Sequence, residues 1–260
     1  MMSWILVTGA SSGIGLEYCR HLAALGHDIV MVARRVTLME RHARDLHNEY
    51  GVQVEVIGAN LADRADIDIV ARRLQSTQKP VSLLVNNAGY AVKRPFDSND
   101  ITTEVAALNV MVTAPFVLSH AAISAMKKRG RGAIINVGSI AANKAIGTYS
   151  VHKAWLAAFS LVLCEELQKT NITVTCVEPG TVLTDFWGDA QPVIAERAKA
   201  VVVLEPKQVV KCSLKALREG KAICIPGPTY KAINAISKVM PRSLLAKTGT
   251  YLTKKRFSLP

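Results

Sequence analysis

The apolar run Trp4-Ile5-Leu6-Val7 passes directly into Thr8-Gly9-Ala10-Ser11-Ser12-Gly13-Ile14-Gly15. A strand that turns through glycines into a helix within so few residues leaves the chain few architectures. It predicts the opening βα unit of an α/β domain. The pattern continues down the sequence. Further strand-like runs lie at Asp28–Ala33, 81–85, 133–137, 172–177 and 222–225, with helical stretches between them. Repeated alternation of this kind predicts a parallel sheet covered by helices on both faces. A chain of 260 residues is ample for one such domain.

The turn has a chemical reading as well. Glycines let backbone approach a pyrophosphate closely, and the N-terminus of the following helix attracts its charge. The spacing Gly9-x-x-x-Gly13-x-Gly15 differs from the common G-x-G-x-x-G, and a tight turn that binds nothing is the alternative. The expected fold is thus a Rossmann-type α/β doubly wound parallel sheet of about seven strands with a C-terminal helical cap. Residues 1–225 would form the dinucleotide-binding and catalytic domain. Residues 226–260 would form a basic amphipathic extension on or near the substrate side.

The second strand ends in Ala33-Arg34-Arg35. In dinucleotide folds an acidic residue near this point holds the ribose hydroxyls. Here two guanidinium groups stand instead, suited to a 2′-phosphate. NADP is therefore expected over NAD, with Arg34 expected to touch the phosphate; two solvated arginines are the alternative. Further on, Tyr149 and Lys153 stand four residues apart, after Ser139. Positions i and i+4 share a helix face. An ammonium beside a phenol favours the phenolate and lowers its pKa from about 10. A tyrosine so tuned can pass a proton to or from a substrate oxygen.

With these residues in view, the chain resembles a short-chain dehydrogenase/reductase of the ordinary single-domain length, in the bacterial branch related to hydroxysteroid and 3-ketoacyl reductases. The matches run in order from Thr8–Gly15 through Asn86-Asn87-Ala88-Gly89, Asn109, Ser139, Tyr149 with Lys153, to Pro179-Gly180 with Thr184. The resemblance implies carbonyl–alcohol interconversion by hydride transfer, with Tyr149 as acid/base. Lys153 would lower the pKa of Tyr149 and hold the nicotinamide ribose. Ser139 would hydrogen-bond the substrate carbonyl, and Asn109 would help hold a water that relays protons from Lys153. The NADP(H) site would comprise Gly9, Ser11, Ser12, Gly13, Ile14, Gly15, Arg34, Arg35, Asn60, Leu61, Asn87, Ala88, Gly89, Tyr149, Lys153, Pro179, Gly180, Val182 and Thr184. Tyr90, Ser139, Phe186 and Trp187 would face a hydrophobic substrate, the last two from a segment the family uses as a lid. The chain departs from the family pattern in three places. Ser139 and Tyr149 are only ten residues apart, Asn60 stands where an aspartate is usual, and Ser12 stands where some NADP users place a second basic residue, which leaves Arg34 and Arg35 to carry the phosphate preference.

The five cysteines form no CxxC pair, and the six histidines show no metal-ligand spacing with them. No metal is expected, and the dispersed thiols suit a reducing cytoplasm. His152 reads as filler on another face of the Tyr149 helix. The N-terminus lacks the basic segment of a signal peptide. Residues 105–126 carry no Asp, Glu, Lys or Arg; interrupted by Asn109, Pro115 and His120, they read as a helix buried on most sides. In the family this helix and the Tyr149 helix form a subunit interface, so a homodimer or homotetramer is expected; burial within a monomer is the alternative.

The formal charge is +12, and no acidic residue follows Glu219. Lys221, Lys231, Lys238, Arg242, Lys247, Lys254, Lys255 and Arg256 accumulate there, interleaved with apolar residues such as Ile233, Ile236 and Met240. A basic amphipathic segment can lie on an anionic membrane; a packed cap with a solvated basic face is the reading adopted. No nucleic-acid module accompanies the charge. Two other functions fit parts of the sequence. One is a non-catalytic NADP-binding redox sensor, which would not need Tyr149, Lys153, Ser139 and Asn109. The other is a membrane-surface protein acting through the basic tail.

Overall fold

The computed structural model describes residues 3–92, 94–144, 147–182, 184, 186 and 202–239. Seven parallel strands form one sheet: β1 (Trp4–Thr8), β2 (Asp28–Ala33), β3 (Val54–Gly58), β4 (Val81–Asn86), β5 (Gly132–Val137), β6 (Ile172–Val177) and β7 (Ile223–Cys224). Their spatial order is β3-β2-β1-β4-β5-β6-β7, so the direction of winding reverses between β1 and β4. In doubly wound sheets ligands bind beyond the carboxyl ends of the strands at such a reversal. β3 escaped the sequence reading because Val54-Glu55-Val56 alternates at a sheet edge, half-buried, rather than forming a solid apolar run.

Alternation along each strand divides the core into two layers. Ile5 and Val7 of β1 and Ile29 and Met31 of β2 face one side. There they meet Tyr18 and Leu22 of α1 (Gly13–Ala23), Met39 of α2 (Val36–Tyr50), and Val210 and Leu214 of α7 (Pro206–Arg218). Trp4, Leu6, Val30 and Val32 face the other. That layer holds Ile67 and Val70 of α3 (Arg64–Gln75), Leu118 and Met126 of α5 (Ala114–Arg129), and Leu163 of α6 (Gly147–Glu166). With both faces covered, the inner strands have no polar side to present, which is why they read as continuous apolar runs.

The apolar stretch expected to be buried on most sides is a composite. It comprises α4 (Ile101–Leu108), a π turn (Asn109–Thr113) and α5. Residues Ile101–Arg129 are long and apolar enough to cross a membrane by length and composition, yet only half of the most apolar window is buried. Val105, Leu108 and Phe116 are exposed, so the expectation is corrected: one stripe packs on the sheet and another faces out.

A buried polar chain fixes the central elements to one another. Asn86 on β4 donates to Asn136 on β5 at 2.9 Å and to Ser119 on α5 at 3.1 Å, and Asn136 donates to Ser160 on α6 at 2.9 Å. In this low-dielectric setting each satisfied bond specifies register and helix position. The final described helix, α8 (Pro228–Val239), begins the expected C-terminal cap. Arg242, Lys247, Lys254, Lys255 and Arg256 of the basic tail lie outside the described residues, as does Trp187.

Candidate active site

The glycine turn packs against the loop after β4. Thr8 and Asn87 clasp the two together: Asn87 Nδ2 donates to the Thr8 carbonyl at 2.9 Å, and the Thr8 hydroxyl accepts from the N–H groups of Asn87 and Ala88 at 3.0 and 3.1 Å. Gly9 takes φ +66°, and a Cβ there would lie 2.8 Å from Asn87 Nδ2. A Cβ on Gly15 would lie 2.2 Å from the Gly9 carbonyl oxygen, so α1 can start this close to β1 only with glycine at that position. The outcome is a bare backbone concavity at the N-terminus of an eleven-residue helix, a fitting seat for a pyrophosphate.

This concavity is one end of a cavity of about 690 Å³. Gly9, Ser11, Ser12, Gly13, Ile14, Arg34, Arg35, Asn60, Leu61, Asn87, Ala88 and Gly89 line it, with Pro179, Gly180, Val182 and Thr184 on a further wall. Tyr90, Ser139, Tyr149, Lys153 and Phe186 complete the other end. Gly15 and Asn109, both expected at the site, do not line the cavity. Gly15 acts through packing. Asn109 Nδ2 donates to the Ala62 carbonyl at 3.0 Å, its Oδ1 accepts from the Thr113 hydroxyl at 3.2 Å, and its carbonyl closes the π turn onto the Ala114 N–H. Its amide therefore braces Ala62, which does line the cavity.

Arg34 was expected to lead at the end of β2, but Arg35 is the one that reaches the turn. Its guanidinium donates to Ser11 Oγ at 2.9 and 3.1 Å and to Ser12 Oγ at 2.6 Å. Arg34 is exposed on the cavity wall. Asn60 forms a local turn, its Oδ1 accepting from the Ala62 N–H at 3.3 Å.

At the other end, β5 delivers Ser139 and α6 delivers Tyr149 and Lys153. Lys153 is 4% exposed, and its ammonium donates to the Val137 carbonyl at 2.7 Å. Burial pulls its pKa down from 10.5 to about 8. The same ammonium lies 5.8 Å from the centroid of the Tyr149 ring, one helical turn away. Phe186 also packs on that ring, 5.5 Å between centroids. Ser139 caps the short turn Ile140–Asn143, its Oγ accepting from the Ala141 N–H at 3.1 Å. Accepting that bond leaves the hydroxyl its O–H as a donor. Tyr90 is half-buried, which raises its pKa.

Three features lay outside the sequence reading. Tyr230 on α8 is buried; its hydroxyl donates to the Val202 carbonyl and accepts from the Thr181 N–H at 3.1 Å, holding the wall beyond Pro179-Gly180. No local motif marks it. Lys144 lines the cavity between Ser139 and Tyr149. His152 is not filler: it is 7% exposed, its pKa lowered by burial, with the buried Glu104 of α4 opposing that shift.

Comparison with known proteins agrees with this geometry. Residues 3–193 match the short chain dehydrogenase family model. The very-long-chain 3-oxoacyl-CoA reductase of Laccaria bicolor is 35% identical over 179 residues, 66% of this chain but only 52% of that protein. The chain thus matches about half the length of that relative. Nodulation protein G of Rhizobium meliloti is 34% identical over 180 residues, 68% of this chain and 72% of that protein. Among solved structures, a short-chain dehydrogenase from Sphingobium yanoikuyae in complex with NADPH superimposes with a TM-score of 0.81 at 30% identity, covering 91% of this chain and 94% of that one. The sheet order, the glycine turn and these matches place the chain in the short-chain dehydrogenase/reductase family of oxidoreductases.

Proposed function

We propose that the protein is an NADPH-dependent carbonyl reductase in which Tyr149 exchanges the proton of the substrate oxygen. The observation that carries this reading is the buried Lys153 ammonium beside the Tyr149 ring, in the cavity whose other end is the glycine turn. Bound at that turn, NADPH would supply the hydride. The Ser139 hydroxyl would donate to the carbonyl oxygen and hold it against the Tyr149 phenol. Tyr149 would release its proton to that oxygen as charge builds there, and the Lys153 cation would stabilise the phenolate left behind. In the oxidative direction the phenolate would take the proton back.

Support for NADPH over NADH comes from the end of β2. Ala33 offers no carboxylate to the ribose, and Arg34 and Arg35 supply guanidinium donors beside Ser11 and Ser12. Tyr90 and Phe186 suit a substrate with an apolar body. Assembly belongs to the same proposal. Phe116 of α5 packs with Trp155 and Phe159 of α6, at centroid distances of 6.2 and 5.5 Å, on a face where Val151 and Val162 are also exposed. An exposed apolar face shared by two helices suits a two-fold contact with a second copy.

Tyr149→Phe removes the transferable proton and keeps the ring. Turnover should fall about a hundred- to ten-thousandfold while NADPH binding persists; near-normal turnover would sink the mechanism.

Lys153→Met separates catalysis from stability. The folded pKa of Lys153, about 8, lies below its unfolded value. Below pH 8 both states bind the proton and the full burden of burying it is present. Between about pH 8 and 10.4 the unfolded state binds more protons, so the wild type gains stability as pH rises. The variant should therefore be inactive yet more stable at pH 7, by an upper bound of about 3 kcal/mol less about 1 for the lost bond to Val137. That advantage should shrink as pH rises through this window, as urea denaturation at several pH values would report.

NADPH should bind at least about tenfold more tightly than NADH, and Arg35→Ala should narrow the gap. Calorimetric titration of both cofactors tests this, and equal affinities in the unmodified protein would reduce Arg34 and Arg35 to solvated charges. Phe116→Glu should turn the oligomer into a monomer by light scattering; an unmodified protein that is already monomeric would refute the assembly.

A further inference from the structure

Reduction of a simple ketone needs no cation on the substrate side of the cavity other than Lys153, yet there is one. Lys144, between Ser139 and Tyr149 in the chain, lines the same cavity and is half-buried. Among the described residues, the charged ones that line the cavity are Arg34, Arg35, Lys144 and Lys153, with no carboxylate among them. Three of the four have an assignment. Arg34 and Arg35 stand at the far end, beside the glycine turn, and Lys153 is bound to the Val137 carbonyl. Lys144 follows β5 and stands on the turn that begins at Ser139. Among the described residues no carboxylate pairs with it. Burial draws its pKa below the usual lysine value, as expected of a cation that has lost water and gained no partner.

The backbone presents Lys144 from a fixed base. Ser139 and Lys144 flank the single turn Ile140–Asn143. That turn is anchored from three directions. The Ile140 N–H donates to the Pro179 carbonyl at 3.2 Å, and the Ala141 N–H donates to Ser139 Oγ at 3.1 Å. The Asn143 amide donates to Asn234 of α8 at 2.7 Å. The carbonyl donor and the cation therefore keep a set spacing, with their Cα atoms roughly 10 Å apart at the rise of a 3₁₀ turn.

We infer that the carbonyl substrate carries a carboxylate, and that Lys144 binds it while Ser139 and Tyr149 engage the ketone. The substrate class is thus an oxo acid with an apolar portion against Tyr90 and Phe186. A phosphate is disfavoured because a single ammonium, with no arginine fork beside it, offers a dianion too few donors. This inference rests on the reading of the site as a carbonyl reductase.

The test compares oxo acids, of increasing separation between ketone and carboxylate, with their methyl esters. Initial rates with NADPH are measured for the wild type, Lys144→Met and Lys144→Arg. The wild type should prefer acid over ester in kcat/KM, the Met variant should lose about ten- to hundredfold of that preference, and the Arg variant should keep part of it. A second readout needs no turnover: calorimetric titration of the hydroxy acid and its ester into NADPH-saturated protein, where the acid should bind at least about tenfold more tightly only while position 144 is cationic. Turnover of acids and esters alike, with no preference, overturns this inference and leaves the reductase reading standing. Selective acid binding without turnover of any carbonyl supports the Lys144 site and refutes the reductase reading. Absence of both overturns both.

Discussion

A cation buried without a carboxylate is the interaction on which the rest of the site depends. Lys153 gives up water to reach the Val137 carbonyl, and its lowered pKa records the strain of doing so. A folded protein retains such a group only when surrounding structure over-determines it. Here the determination comes from the sheet. Val137 ends β5, which is held by β4 and β6 on either side, and the polar chain from Asn86 through Asn136 to Ser160 fixes α6 against the strands. The helix cannot slide without breaking buried hydrogen bonds, so Lys153 and Tyr149 keep their places relative to β5. The low dielectric that burdens the fold is also what would make the ammonium effective on a neighbouring phenolate.

Much of this was legible from residue types at short spacing. The strand Trp4–Thr8, the glycine turn after it and the pair Tyr149 and Lys153 are local patterns, and local patterns survive without a structure. Relations across the fold were less accessible. Gly15 reads as a phosphate-loop glycine, yet its hydrogen faces the Gly9 carbonyl and Asn87, a fact about close packing. Asn109 reads as part of a relay, but its amide is committed to Ala62, 47 residues earlier, and to Thr113. Arg34 and Arg35 are indistinguishable in sequence; only the exit angle of β2 decides that Arg35 meets Ser11 and Ser12. Tyr230 lies beyond every motif, and its role exists only because α8 folds back over the wall that begins at Pro179.

The half-buried helix from Ile101 to Arg129 illustrates the same limit from the side of composition. Its stretch 105–126, without Asp, Glu, Lys or Arg, looks equally suited to a core, a membrane or an interface. The structure splits it into an inward stripe, carrying Leu118 and Met126, and an outward one, carrying Val105, Leu108 and Phe116. The π turn at Asn109 interrupts it where its carbonyl is needed for an i→i+5 bond, in keeping with the frequent placement of such irregularities beside functional sites.

Charge distribution links the two ends of the cavity. An enzyme that handles an anionic cofactor gains from a positive cavity, since focused fields raise encounter rates and hold phosphates. Among the described residues, every charged side chain lining this cavity is a cation: Arg34, Arg35, Lys144 and Lys153. The two halves carry that charge differently. At the glycine turn the cation is solvated and shared with hydroxyls, so it can meet a highly charged group at little desolvation cost. On the other side Lys153 is buried and Lys144 half-buried, and under the proposals above each would act on one atom: Lys153 on the Tyr149 phenol, Lys144 on a group that the substrate brings. A withdrawn ammonium discriminates strongly between a ligand that neutralises it and one that leaves it unpaired. Selectivity would then reside in the turn between Ser139 and Lys144, and the hydride chemistry in the helix that follows it.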